Sequence, residues 1–192
     1  MTSTRDQALA EMTFCEAILA KGGLNVLSET FAGVDAIAAW DHYPPGDVFD
    51  PVSKSQWFYH CHPAEDDSRE HGHFHCFVRP EGADGPIHHL VAIGVDAQGR
   101  LLRLFTVNQW VVGDDWVGAK ELAALLEKFD VQMPKPSYLV NRWLTSIIVA
   151  YEDEIRSLIE QRDVVLTGQG ESLDCALADH SIEVTSELVI EN

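Results

Sequence analysis

Basic residues are scarce in this chain of 192 residues: 13 Lys and Arg stand against 31 Asp and Glu, a formal net charge of −18. Such a field repels phosphate backbones and anionic lipid heads, which argues against nucleic acid and membrane surfaces as partners. Long apolar runs are missing as well. No stretch reaches the roughly 20 residues a membrane-spanning helix needs. The opening "MTSTRDQALAEMTFCEAIL" carries acids and no continuous apolar segment, so no signal peptide is read there and a cytoplasmic location is expected. Cysteine is sparse: Cys15, Cys61, Cys76 and Cys175 form no CxxC pair, which argues against a disulfide framework and against a cysteine zinc ribbon. There is no internal repeat or low-complexity tract. "GQGES" matches only part of a dinucleotide-binding glycine pattern, and no nucleophile elbow supports Ser-His-Asp catalysis.

What remains is an ordinary globular composition, 46% hydrophobic and 23% charged. The length suits a single domain over residues 1–192. Ala8, Leu9, Met12, Cys15, Ile18 and Leu19 make one helical stripe closed by "KGG". Leu24, Leu27, Phe31, Val34 and Ala38 suggest a second helix over 24–40, stopped by Pro44 and Pro45. Runs rich in aromatic and β-branched residues at 56–62, 72–79, 87–95 and 101–111 read as four strands, with "DAQGR" a tight hairpin turn. Leu122, Leu125, Leu126 and Phe129 predict a third helix. Val140, Trp143, Leu144, Ile147, Ile148, Tyr151, Ile155, Leu158 and Ile159 predict one long amphipathic helix. Residues 163–192 hold seven acids and no Lys or Arg, and read as an acidic peripheral tail or edge element with a possible strand in "SIEVTSELVI". The expected fold is α+β: a four-stranded antiparallel meander sheet with N-terminal and C-terminal helices packed on one face.

Five of the nine histidines fall between residues 58 and 80, in "FYHCHPAEDDSREHGHFHCFVRP". Residues two apart in a strand point the same way, so His71, His73 and His75 share a face, as do His60 and His62. If residues 63–70 close a hairpin, His60 lies opposite His73 and His62 near His71, which collects five rings on one side of two strands. Trp57, Tyr59, Cys61, Phe74, Cys76 and Val78 then supply the apolar set for the opposite, core-facing side.

Imidazole is a borderline-soft donor, and two or three at strand spacing preorganise a pocket for iron, zinc, copper or a similar ion. The expected ligand set is His71, His73 and His75, joined by His60 and His62. Glu70 is expected as a ligand or catalytic base and His60 as a proton carrier. Glu81, Asp47 and Asp50 are further carboxylates that could complete a three-residue set. Two function classes follow. One is a metal-dependent enzyme, oxygenase or hydrolase, acting on a small-molecule substrate. The alternative is a non-catalytic protein that binds a transition metal or haem, with Phe58 and Phe77 flanking the porphyrin. One of His88 and His89 must point to the histidine face, His42 can reach it from its loop, and a homodimer could cover it.

"HYPPGDVFDP", "QWFYHCH" and "EHGHFHCFVRP" together resemble a bacterial family known only as a domain of unknown function, over most of the chain from Asp41 through the long helix. That resemblance implies a bacterial cytoplasmic protein and no activity. The "HxH" pair His73 and His75, with Glu81 after it, is similar in chemistry to a cupin metal site, but the upstream glycine is absent and four strands are too few for that barrel.

Overall fold

The computed structural model describes residues 3–63, 69–168, 170 and 172–190. Its centre is a six-stranded antiparallel sheet in the order β1-β2-β3-β4-β5-β6, formed by Tyr43–Phe49, Ser55–Cys61, Gly72–Val78, His88–Val95, Leu101–Val107 and Val184–Val189. The fold is α+β as expected, but with two strands more than the four read from the sequence. Both additions are edge strands. β1 contains Pro44, Pro45 and Gly46, which read as breakers, yet an edge strand tolerates proline because one of its sides has no ladder partner. β6 pairs with β5 from the far end of the chain, with Arg103 opposite Val189 and Thr106 opposite Ser186.

Helices cover one face. α1 (Thr4–Lys21) starts at a Ser3–Asp6 capping box, which satisfies two of the orphan amides of its first turn. It packs along α5 (Tyr138–Ala150), where Arg142 bridges Glu11 and Asp130. α2 spans only Val26–Thr30, capped by Asn25. The longer second helix does not form: Gly33 takes a φ of +80° and the chain then runs irregularly to β1. The single long C-terminal helix is broken at Tyr151 (φ −111°, ψ 25°) into α5 and α6 (Glu152–Thr167). α3 (Gln109–Val112), α4 (Ala119–Leu126) and α7 (Leu173–Leu177) complete the set. Among the described residues no helix is long and apolar enough to cross a membrane.

The core lies between this helical layer and the sheet. Trp57, Tyr59, Phe74 and Cys76 are fully buried against it, and the Trp57 indole donates to Asn141 Oδ1 of α5 at 2.9 Å. The apolar parity read for β2 and β3 is therefore the one observed. The opposite face carries a second, smaller apolar cluster of Ala92, Phe105 and Val107 against Val111 and Val112 of α3, and beside it the histidines.

Candidate metal centre

β2 and β3 pair with His60 opposite His73 and Phe58 opposite His75, the register the histidine parity called for. Strand alternation then points His60, His73 and His75 away from the helices, and His62, one residue past β2, joins them. His60, His62 and His73 each offer a ring nitrogen within 4.8 Å of the others. This partly buried group could hold a transition metal ion. The tightest approach is between His60 Nε2 and His73 Nε2, at 2.7 Å.

His73 is anchored from behind. Its Nδ1 lies 2.8 Å from Glu70 Oε1, and the Glu70 carboxylate receives both Arg103 Nε (2.5 Å) and Arg103 Nη2 (3.1 Å). Gly94 makes room for this arrangement, because a Cβ there would collide with the Glu70 carboxylate and press on the Arg103 side chain. Burial works to raise the Glu70 carboxyl, but hydrogen bonds from His73 and Arg103 outweigh it and hold it at about 2. Ionised Glu70 can only accept, so His73 carries its proton on Nδ1 and presents the Nε2 lone pair to His60. That is the carboxylate–histidine pairing by which proteins orient metal-binding imidazoles. Glu70, expected as a ligand or base, thus stands behind the His73 ring and is not among the residues lining the cavity.

Burial, aided by neighbouring His73, pulls the His60 imidazole down to about 3. Burial also lowers His73 against the opposing pull of Glu70, and lowers His75 further. Neutral rings are the form a metal requires. The donor set also fits in number and type, since three imidazoles with a free fourth position is a familiar arrangement for a reactive ion. Nitrogens about 2.0–2.1 Å from one ion stand roughly 2.9–3.4 Å apart, so His60 and His73 would open by several tenths of an ångström to admit it.

His75 is fully buried, with Nδ1 3.0 Å from His89 Nε2 and its own Nε2 without a partner. His89 reaches this face because of a bulge: Cys76 pairs with Val91 but Phe77 with His89, so Leu90 is extra and strand parity flips. His88 bonds instead to the Asp115 carbonyl. Which of the two histidines turned inward was undecidable without that bulge. His42 also joins the site, stacked on Phe58 with ring centroids 3.6 Å apart and its Nδ1 3.0 Å from Asp47 Oδ1. A cavity of about 380 Å³ opens beside the cluster, lined by His42, His60, His62 and His73 and by Trp40, Phe58, Phe105 and Trp110.

His71 departs from the expected set. It precedes β3, and its Nδ1 lies 2.5 Å from the hydroxyl of core-facing Tyr59, with Phe31 nearby. Gly72 permits this, because any side chain there would strike the Tyr59 hydroxyl and the His60 carbonyl. Burial pushes the Tyr59 phenol up, so it stays protonated and donates to His71. His71 is therefore on the helical side, away from the cluster. Phe58 and Phe77, expected to flank a porphyrin, stack on each other with centroids 5.5 Å apart, and of the two Phe58 lines the cavity. Asp47 holds His42, Asp50 caps the turn at Val52 and Ser53, and Glu81 is exposed; none enters the group of converging nitrogens. Arg103 went unread because nothing in its local pattern marks it: it acts across two strands.

Residues 6–190 match the family described as domain of unknown function DUF6969. No curated protein and no solved structure matches the chain. The chain belongs to that family.

Proposed function

From membership of a family that carries no activity to transfer, we propose that this chain is a metal-dependent enzyme whose ion sits on His60, His62 and His73. The observation that supports it best is the line from Arg103 through Glu70 to the buried His73, which fixes one tautomer and aims Nε2 at His60. A structural histidine pair has no need of a clamped carboxylate behind it, whereas metal-binding imidazoles usually have one. His60, His62 and His73 would hold a divalent ion, which would supply Lewis acidity there.

The chain's own groups supply the rest. His42, with Nδ1 committed to Asp47, offers Nε2 to accept a proton from a molecule in the cavity. Asp47 is itself held by Gln56 Nε2 at 3.0 Å, and Gln56 by Arg79 Nε at 2.6 Å, so the His42 ring is oriented from both its plane and its edge. Trp40 covers the metal group from outside, stacked 4.4 Å from His62 and itself 58% exposed.

Titration of metal-free protein with Zn(II) and Co(II), followed by calorimetry and by the Co(II) visible spectrum, tests the reading. One ion per chain is expected, lost in His60→Ala and His73→Ala and kept in His71→Ala. Absence of stoichiometric binding, or equal loss in His71→Ala, removes the proposal.

A further inference from the structure

We propose that the cavity beside the histidines takes a neutral, planar aromatic molecule bearing a hydroxyl group, a phenol in chemical class. The proposal rests on the metal-site reading for the direction of the hydroxyl and for the exclusion of a cation, and on the cavity walls for everything else.

Size comes first. About 380 Å³ lies near the lower end of small-molecule sites, which run roughly 300–1,000 Å³, and suits one or two rings. The walls come next. Trp40, Phe58, Phe105 and Trp110 arrive from separate segments, and three of them are held by a neighbouring ring or cation. His42 lies flat on Phe58 at 3.6 Å. His180 lies flat on Trp110 at 4.3 Å, while the Trp110 indole donates to the Ile182 carbonyl at 2.9 Å. The Arg103 guanidinium covers Phe105 at 4.1 Å. Rings held in fixed planes favour a flat guest that can meet their faces and edges over a puckered one of equal area.

Charge narrows the class further. No Lys or Arg lines the cavity among the described residues, and Glu183 is its one carboxylate. In the metal-free protein a carboxylate or phosphate guest would be buried with no side-chain countercharge. A cation would suit the aromatic walls and Glu183, but it would face the ion on the histidines. A hydroxyl fits the remaining polar groups: it can donate to His42 Nε2, whose Nδ1 is tied to Asp47, with its oxygen on the side where His60, His62 and His73 would hold the ion.

The test titrates the full chain, metal-free and with one equivalent of Zn(II), with phenol, cyclohexanol, benzoate and benzylammonium, read by calorimetry and tryptophan fluorescence. Phenol is expected to bind once per chain, about tenfold more tightly than cyclohexanol and benzoate in the metal-free protein and about tenfold more tightly than benzylammonium with Zn(II) bound. Val111→Phe, which fills the cavity from α3, is expected to weaken phenol about tenfold and leave the Zn(II) titration unchanged. Trp40→Ala, at an exposed wall position where folding is not at stake, is expected to weaken it about fivefold. Equal binding of cyclohexanol, benzoate or benzylammonium, or undiminished phenol binding in both variants, overturns the proposal. Zinc bound without phenol removes this inference alone, and phenol bound without zinc removes the metal reading alone.

Discussion

The Nε2 atoms of His60 and His73 face each other at 2.7 Å across the β2–β3 ladder, where the two residues are direct partners. With His73 Nδ1 bonded to an ionised carboxylate, the proton in that contact belongs to His60. The same two nitrogens can converge on a cation only when that proton leaves Nε2. Metal uptake and the His60 tautomer are therefore one equilibrium.

Glu70→Gln should lower Zn(II) affinity by about 10–100-fold, the usual cost of losing the partner behind a metal-binding imidazole. The amide cannot satisfy Arg103 as the carboxylate does, so urea unfolding should also show a loss of about 1–3 kcal/mol. Unchanged affinity would mean that His73 is oriented by something else.

Gly94→Ala touches no ligand, yet its Cβ would occupy the space of the Glu70 carboxylate. Zinc affinity is expected to fall at least as far as in Glu70→Gln, about tenfold or more. Calorimetry of the two variants side by side checks this, and full affinity in Gly94→Ala would show that the carboxylate has room to move.

Acid should unfold the metal-free protein from the histidine side first. Burial holds His89 at about 3, and His60 is likewise at about 3, against 6.5 in an unfolded chain. Their folded values are depressed, so below pH 6.5 the unfolded chain binds protons that the folded one does not. Stability is full above pH 6.5 and is lost progressively as pH falls toward about 3. Urea midpoints at pH 7.5, 6.0 and 5.0 should decrease in that order, and His89→Asn should flatten the trend. The Glu70 contribution, full above 4.5, is lost progressively between 4.5 and about 2, below the three pH values compared.

Trp40 takes a φ of +73°, a left-handed conformation that costs a bulky residue about 1–3 kcal/mol. Trp40→Gly relieves that cost and removes the stack on His62, so net stability should change by less than about 1 kcal/mol. Quenching of tryptophan fluorescence by Co(II) should drop sharply in the same variant, because Trp40 is the indole against the metal group. Unaltered quenching would place the ion elsewhere.

Much of the fold and part of the site could be read in advance. Alternation in "QWFYHCH" and "GHFHC" is a local property, and it correctly divided Trp57, Tyr59, Phe74 and Cys76 from His60, His73 and His75. β1 was missed at one edge, where prolines at 44 and 45 read as breakers; β6 falls in the segment read as a possible strand or edge element, but its pairing with β5 from the far end of the chain was not legible. The break between α5 and α6 was missed because the apolar stripe continues through Tyr151.

By itself, the sequence determined that β2 and β3 each have an apolar side and an imidazole side, since a two-residue period needs no knowledge of what lies opposite. Only the tertiary structure decided which imidazoles meet. His71 is drawn away by Tyr59 past a glycine, and His89 is turned inward by one extra residue in β4. Glu70 and Arg103, 33 residues apart, are joined over Gly94. The physical reason is range: periodicity is set by neighbours along the chain, whereas bulges, close approaches and ion pairs are set by neighbours across it.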